Sequence, residues 1–319
     1  MRYSKILGTG SYLPEKILTN QDLEKIVETT DEWITTRTGI KRRHVAGENE
    51  STADMAEVAA RNALEMAGIS ADQLGMIVVG TSTGDDSFPS TASVLQHRLG
   101  CRHIPAFDVS AACSGFNYAL SIADQYVKNN MCQHVLVIGV DLLSKIVDWS
   151  DRTTCVLFGD GAGAAVLSQS DEPGILSTHL FSDGSQRDML FAENTSLQKN
   201  QNKSPYIKMQ GKEVFRNAVE RLGDMVQQTM EENNLTQSDL DWLVPHQANI
   251  RIINAIAKRI HLPMDKVVVT VDDQGNTSAA SIPLALDIAV RDGRIQRGHL
   301  ILLESFGGGL VWGSALVRF

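Results

Sequence analysis

The chain has 319 residues, of which 43% are hydrophobic, and a formal net charge of −9. This length allows a large core and makes two structural units a reasonable expectation. The acidic balance argues against nucleic acid as the main partner. We expect no membrane span and no signal peptide, because no apolar run is long enough. Four cysteines without metal-ligand spacing indicate reduced thiols in a cytoplasmic protein and no metal site.

The first elements along the chain predict a mixed α/β fold. DEWITTRTGI (31–40) predicts an amphipathic helix, and a basic cluster (37, 41, 42 and 43) overlaps its end and suggests docking of something anionic. Residues 76–79 and 135–138 are apolar without alternation, which is typical of strands buried on both faces of a sheet. The glycine-rich 159–163 lacks the Lys-Ser/Thr of a phosphate loop, so we interpret it as a structural turn.

The second half repeats the order of the first. ALSIA (119–123), HVLVIG (134–139) and FGDGAGAAVLS (158–168) match ALDIA (285–289), HLILLE (299–304) and FGGGLVWGSALV (306–317). The offsets are 166, 165 and 148 residues, so the first half has about 17 extra residues (165 minus 148) between two matched elements. We predict two fused copies of one unit, 1–172 and 173–319. The polar stretch 182–205 predicts a surface loop.

Three polar residues suggest a thiol nucleophile and two partners. Cys113 lies in DVSAACSGF, His246 in PHQANIRII and Asn276 in GNTSAAS. A papain-type hydrolase has the same residue types in the same order, so the types alone leave both reactions open. The duplication disfavours the hydrolase. Cys113 and Asn276 fall near the starts of equivalent helices, and a helix start should lower the thiol pKa.

These motifs and the closing ESFGGGLVWGSALVRF closely resemble the β-ketoacyl-[acyl carrier protein] synthase III family over essentially the whole chain. The resemblance implies the thiolase fold: five αβαβα layers, built from two duplicated halves with mixed five-stranded sheets, as a homodimer. It implies an initiating condensing enzyme of type II fatty-acid synthesis. Acyl-CoA and malonyl-acyl carrier protein would be substrates, and no cofactor would be needed.

The resemblance also implies residue roles. Cys113 would carry the acyl group, while His246 and Asn276 would bind the malonyl thioester oxygen during decarboxylation. The backbone N–H groups of Cys113 and Gly308 would form an oxyanion hole. The remaining expected positions are Thr29, Trp33, Arg37, Arg152, Gly211 and Asn249 for coenzyme A, Phe88 and Phe306 for the acyl pocket, with Phe88 reaching across the dimer interface, and Arg216, Arg251, Lys258 and Arg259 for carrier-protein docking.

Related enzymes are separated by single residues. Degradative thiolases have a second catalytic cysteine, but no cysteine follows Cys155. Elongating synthases use two histidines, whereas this chain has Asn276 at the second position. A synthase III-like enzyme of secondary metabolism, with another acyl or aroyl starter, remains the alternative.

Overall fold

The computed structural model describes residues 2–194 and 204–319. The described strands, in chain order, are β1 (Tyr3–Tyr12), β2 (Ile17–Thr19), β3 (Arg42–His44), β4 (Met76–Gly80), β5 (Ala106–Val109), β6 (His134–Leu142), β7 (Asp160–Ser170), β8 (Ile175–Ser182), β9 (Leu190–Phe191), β10 (Lys208–Met209), β11 (Trp242–Pro245), β12 (Leu300–Gly307) and β13 (Val311–Arg318). The α-helices are α1 (Asn20–Leu23), α2 (Asp31–Thr38), α3 (Thr52–Ala67), α4 (Thr91–Arg98), α5 (Gly115–Lys128), α6 (Gly211–Glu232), α7 (Ile250–Arg259), α8 (Val271–Gln274) and α9 (Ser281–Arg291).

The first sheet has five strands in the order β1-β7-β6-β4-β5. β4 runs parallel to β5 and β6, and β7 runs antiparallel to β1 and β6. Every residue of β4 and β6 is buried, which confirms the two apolar strands predicted from the sequence. Their lack of alternation follows from helices covering both faces of the sheet.

The second sheet has the order β11-β12-β13-β8 among the described residues. The prediction of five strands is therefore wrong for this half. In the fifth position the chain makes only an isolated bridge between Leu243 and Val267. The ladder ends there because the next free N–H groups, of Thr270 and Val271, donate to the Gln247 side chain at 2.8 and 3.2 Å.

The layers are the expected αβαβα. α3 packs on the outer face of the first sheet, and α6 packs on the outer face of the second. Between the sheets lie α5 and α9, each of which contacts strands of both sheets. Residues at the starts of these two central helices therefore meet in the middle of the molecule.

The duplication is visible in the strand orders. β1-β7-β6-β4 corresponds to β8-β13-β12-β11, and the starts of α5 and α9 are 166 positions apart (281 minus 115). The extra residues of the first half fall within 143–159 between β6 and β7, where the second half has only 308–310 between β12 and β13. The boundary 172/173 falls between β7 and β8, and the division into two units stays a prediction.

The glycine-rich segment 159–163 is not a turn, because residues 160–163 begin β7. A Cβ on Gly163 would lie 2.7 Å from the Leu284 nitrogen, so the glycine lets α9 pack directly on the strand. Of the predicted loop 182–205, residues 184–189 form a 3-10 helix and 190–191 form β9. Residues 195–203 lie outside the described residues.

The basic cluster after α2 is mostly structural. Arg43 is fully buried and donates to Asn20 Oδ1 and the Val156 carbonyl. Lys41 and Arg42 pair with Asp272 and Asp273. Three members of the cluster thus have partners within the fold, which disfavours a role for them in docking an anionic ligand. The fourth member, at position 37, lies at the cavity described next.

Candidate active site

A cavity of about 600 Å³ brings the three predicted catalytic residues together. Cys113, His246 and Asn276 all line it. Cys113 precedes α5 in the first half, whereas the other two belong to the second half. The shared lining follows from the central position of α5 and α9.

Cys113 lies in a 3-10 turn, Ala112–Ser114, directly before α5. Ala112 has a φ of 43°, a left-handed conformation that is uncommon for a residue with a side chain. Cys113 is 8% exposed, and the Ser278 hydroxyl lies 3.5 Å from its sulfur. Burial raises the pKa of the Cys113 thiol to about 12. Burial therefore opposes the lowering expected at the helix start, because lost hydration disfavours the thiolate.

His246 follows β11 at the carboxyl end of the strand. Its backbone N–H donates to the Glu304 carbonyl at 2.8 Å, and its Nδ1 lies 2.6 Å from Ser281 Oγ at the start of α9. Burial lowers the pKa of His246 to about 4. The imidazole is therefore neutral at pH 7, as a hydrogen-bonding role requires.

Asn276 is fixed at both its backbone and its side chain. Its N–H donates to the Leu157 carbonyl at 2.8 Å, and its own carbonyl accepts from the Gly159 N–H at 3.0 Å. Its side-chain Oδ1 accepts from the Ser278 N–H at 2.9 Å. The amide group left for the cavity is thus Nδ2, a hydrogen-bond donor.

The end of β12 forms the wall opposite Cys113. Phe306 lines the cavity. A Cβ on Gly307 would lie 2.7 Å from the Cys113 nitrogen, and one on Gly308 would lie 2.6 Å from the Leu190 carbonyl oxygen. Only glycines allow the backbone to come this close.

With this geometry established, comparison with known proteins shows the family. Residues 107–184 match the model of 3-oxoacyl-[acyl-carrier-protein] synthase III, and residues 230–319 match the model of its C-terminal part. A curated β-ketoacyl-[acyl-carrier-protein] synthase III of Methylococcus capsulatus is 59% identical over 319 residues, which is 100% of this chain and 99% of that protein. The chain belongs to the synthase III family.

Solved structures agree with the assignment. A 3-oxoacyl-[acyl-carrier-protein] synthase III from Aquifex aeolicus has a TM-score of 0.95 and 48% identity, with 99% of this chain and 100% of that chain covered. The priming β-ketosynthase of the R1128 polyketide pathway has a TM-score of 0.95 at 39% identity, covering 99% of this chain and 96% of that one. As a synthase III, this chain is an acyltransferase, the initiating condensing enzyme of fatty-acid synthesis.

The synthase III residues expected at coenzyme A lie mainly at the cavity mouth. Trp33, Arg37, Gly211 and Asn249 line it. The guanidiniums of Arg37 and Arg152 lie 4.9 and 5.1 Å from the centre of the Trp33 ring. A base between the indole and Arg152 would need about 7 Å between them, so the guanidinium would have to move outward by about 2 Å.

Thr29 is not among the cavity-lining residues. Within the described residues its buried Oγ1 has no hydrogen-bond partner.

The predicted docking residues belong to two neighbouring helices. Arg251 lines the cavity, and its guanidinium lies 5.8 Å from the Phe215 ring. Arg216 on α6 pairs with Glu213, and Arg259 on α7 pairs with Asp224. All four docking residues are exposed: Arg216, Arg251, Lys258 and Arg259.

Phe88 does not line the cavity of its own chain. Its side chain is 86% exposed, the most exposed of the large hydrophobic residues described. Phe306 is thus the one of the two predicted acyl-pocket residues that the fold brings to Cys113 within one chain. Leu190 lines the cavity as well.

Sequence reasoning missed four polar residues around the site. Ser278 and Ser281 stand in the motif GNTSAAS, whose spacing from Asn276 could have found them. Asp141 and Glu304 have no local signal. Both Glu304 carboxylate oxygens are buried without a hydrogen-bond partner in the described part of the chain, and burial raises the pKa of Glu304 to about 8.

Within residues 2–194 and 204–319, no helix is long and apolar enough to cross a bilayer. In the same ranges, no group of three or more His, Cys, Asp or Glu residues could hold a metal ion. The four cysteines are free and buried.

Proposed function

We propose that the enzyme transfers an acyl group, acetyl in the first instance, from coenzyme A to Cys113 and condenses it with malonyl-acyl carrier protein. The supporting observation is the pairing of one thiol with two hydrogen-bond donors in a single cavity. Burial lowers the pKa of His246 to about 4, which makes it a weak base, and the Asn276 Oδ1 is already occupied, so neither is suited to act as the base of a hydrolase. The products would be 3-ketoacyl-acyl carrier protein, free coenzyme A and carbon dioxide.

In the first half-reaction the Cys113 sulfur attacks the thioester carbonyl. The N–H groups of Cys113 and Gly308 stabilise the resulting oxyanion, and the coenzyme A sulfur leaves with the proton that the thiol loses. The close approach of Gly307 to the Cys113 nitrogen supports this role, since a larger residue would cover that N–H.

In the second half-reaction the malonyl group loses carbon dioxide, and the enolate carbon attacks the acyl-cysteine, which releases the Cys113 thiolate. The Ser281 hydroxyl accepts from the Gln247 N–H at 3.3 Å, and its own hydrogen can be donated to His246 Nδ1. That arrangement keeps the ring proton on Nε2. Nε2–H and the Asn276 Nδ2 then both donate to the enolate oxygen.

Substrate binding divides between the cavity mouth and the surface beside it. We assign Thr29, Trp33, Arg37 and Arg152 to the nucleotide of coenzyme A, and Gly211 and Asn249 to its pantetheine arm. A planar guanidinium and an indole suit a flat base. The carrier protein would dock on the surface formed by Arg216, Arg251, Lys258 and Arg259.

A homodimer is part of the proposal. β5 is an edge strand of the first sheet, and all four of its residues are half-buried rather than exposed. An open sheet edge is a ready surface for strand pairing. Phe88 lies in the loop that precedes α4, which donates backbone N–H groups to Asp108 of β5 at 2.8 Å. From there Phe88 would reach the partner subunit's acyl pocket.

The free thiols suit the cytoplasm.

The test is intact-protein mass spectrometry after incubation with a panel of acyl-CoAs, then with malonyl-acyl carrier protein. We expect an acetyl adduct that maps to Cys113 and that the malonyl donor converts to product. Cys113→Ala should acquire no adduct. His246→Ala and Asn276→Ala should acquire the adduct but fail to discharge it. Preference for a bulkier starter would instead favour secondary metabolism, and discharge by water alone would favour hydrolysis.

A further inference from the structure

The nucleophile turn has a counterpart in the second half. Ala112–Ser114 precedes α5, and Ser278–Ala280 precedes α9, 166 positions later (278 minus 112). Ala112 and Ser278 both adopt positive φ, 43° and 52°. By this correspondence Ser278 takes the place of Ala112, so the second turn carries a hydroxyl where the first has a methyl group.

That hydroxyl points at the reacting atom. Ser278 Oγ lies 3.5 Å from the Cys113 sulfur, within the hydrogen-bonding range for sulfur, and Ser278 is 4% exposed. Burial raises the pKa of the neighbouring Asp141 carboxyl, and the Ser278 hydroxyl lowers it. One hydroxyl hydrogen thus has two acceptors, a sulfur on one side and a carboxylate on the other.

Asp141 holds the second turn in place. It is fully buried in β6, and its Oδ2 accepts from the Ala279 N–H at 3.1 Å. Its Oδ1 accepts from the Ser82 N–H at 2.7 Å and from the Thr83 and Thr81 hydroxyls at 3.0 and 3.2 Å. The carboxylate therefore joins the loop after β4 to the turn that carries Ser278.

We propose that Ser278 is a further catalytic residue: its hydroxyl donates a hydrogen bond to the Cys113 thiolate, and Asp141 is the positioning residue that aims it. While the sulfur keeps its proton, the S–H can donate to Ser278 Oγ and the hydroxyl can donate to Asp141. When the proton leaves with coenzyme A, the hydroxyl hydrogen turns to the sulfur. No bond other than hydrogen bonds changes at Ser278.

This role answers a difficulty of the site. Burial and the Asp141 charge both raise the pKa of Cys113, whereas the hydrogen bond from Ser278 lowers it. The titratable groups around the thiol are Asp141 on β6 and His246 after β11, and His246 is neutral. Ser278 is therefore the side chain that favours thiolate at this position.

The test compares Ser278→Gly with Ser278→Ala. Both remove the hydroxyl, but only alanine keeps the strain of a side chain at positive φ. The measurement is the rate of Cys113 alkylation by iodoacetamide from pH 7 to 10, with the modified peptide mapped. Because hydrogen bonds to charged groups are strong, both variants should react about 10- to 100-fold more slowly than the wild type, in parallel across this range. Acylation by acetyl-CoA should slow by a similar factor. The decarboxylation of malonyl-acyl carrier protein should be retained in Ser278→Gly.

An unchanged alkylation rate in Ser278→Gly would overturn the proposal, and so would slowing in Ser278→Ala alone, which would indicate backbone strain. The inference rests on Cys113 being the nucleophile, and the two failures are distinguishable. An acyl adduct that maps elsewhere refutes the nucleophile, whereas an adduct on Cys113 with unaltered reactivity in Ser278→Gly refutes only Ser278.

Asp141→Asn separates positioning from charge. If Asp141 acted only through its charge, its removal would favour thiolate and alkylation would become faster. Loss of positioning predicts slower alkylation instead. Should this variant fold poorly, Thr83→Val removes one of the hydroxyls that hold the carboxylate and should slow alkylation by a smaller factor. Faster alkylation in either variant would refute the positioning role.

Discussion

β6 and β12 occupy the same place in the two sheets, but they differ at several buried positions, of which two bear on the site and on stability. The strand pairings align Val135 with Ile301, an offset of 166 and not the 165 of the sequence match. Ile138 and Asp141 of β6 therefore correspond to Glu304 and Gly307 of β12. Asp141 covers the Ala279 N–H, whereas Gly307 leaves space against the Cys113 nitrogen. One scaffold thus supports a closed turn in one half and an open, reactive turn in the other.

The largest expected effect is on the rate of Cys113 acylation, when the space that Gly307 leaves beside the Cys113 turn is filled. In Gly307→Ala the new Cβ would lie 2.7 Å from the Cys113 nitrogen, so the turn must shift and the N–H can no longer be aimed at an oxyanion. Loss of one such donor costs a factor of about 10² to 10³. We expect this loss in the rate of acylation by acetyl-CoA. Gly184→Ala is the control, since nothing lies within 4 Å of its Cβ position. Equal acylation by the two variants would contradict the oxyanion role.

The second difference between the strands concerns stability. Because the pKa of Glu304 is raised from 4.5 to about 8, the native state keeps a proton that the unfolded chain releases. The contribution of protonated Glu304 to the free energy of unfolding is therefore fully present below pH 4.5 and is lost as the pH rises through 8. Glu304→Ile, which copies Ile138, should raise the free energy of unfolding at pH 8 by about 1 to 3 kcal/mol, the cost of an unpaired buried polar group. Urea titrations at pH 5 and pH 8 measure it.

The control for that prediction is Glu304→Gln. This variant should remove the dependence of the free energy of unfolding on pH. It should be less stable than Glu304→Ile, because a buried amide still lacks a hydrogen-bond partner. A pH dependence that survives in Glu304→Gln would show that another group causes it.

A third difference between the halves lies at the helix starts, where Ser281 of α9 corresponds to Gly115 of α5. Ser281→Ala removes the group that fixes the His246 ring proton on Nε2. We expect decarboxylation of malonyl-acyl carrier protein to slow by about 10-fold, the effect of one hydrogen bond, while acylation of Cys113 stays unchanged. Measuring the two half-reactions separately tests this. A matching loss in both would show that the substitution disturbs the whole site.

The smallest expected effect concerns the segment 143–159, which the second half lacks. Arg152 lies on this segment beside Trp33, and in the complex its guanidinium would stack on the bound base, a contact worth about 0.5 to 1 kcal/mol at an exposed site. Arg152→Ala should raise KM for acetyl-CoA by about 2- to 5-fold. KM for the malonyl carrier should not change. The control is Arg294→Ala, which lies beyond the far end of α9. The measurement is steady-state kinetics with each substrate varied in turn. An unchanged KM for acetyl-CoA in Arg152→Ala would contradict the assignment.

The sequence allowed prediction of features that depend on local pattern. Apolar runs predicted β4 and β6, and the repeated order predicted two matching sheets around central helices. The motifs predicted Cys113, His246 and Asn276, which the fold brings to one cavity. Glycine patterns were ambiguous, because a strand under a closely packed helix and a tight turn both require them. This ambiguity explains the wrong interpretation of 159–163.

Other features depend on residues distant in sequence. The thiol pKa of Cys113 is governed by burial between two halves, which no helix-start pattern reveals. Arg43 is charged in the sequence like Arg37, yet it is buried against the loop before β7 while Arg37 lines the cavity. The link from Asp141 to Ser278 joins positions 137 residues apart (278 minus 141) and has no local signal.

The pair of turns also bears on how such an enzyme could arise. In a symmetric assembly of two identical short chains, any substitution would occur at both turns at once. A carboxylate that closes one turn would close the other, and a glycine that opens one would open both. Joining the units in a single gene removes this constraint. Asp141 and Gly307 could then diverge, so that one turn became a rigid support and the other a site of reaction.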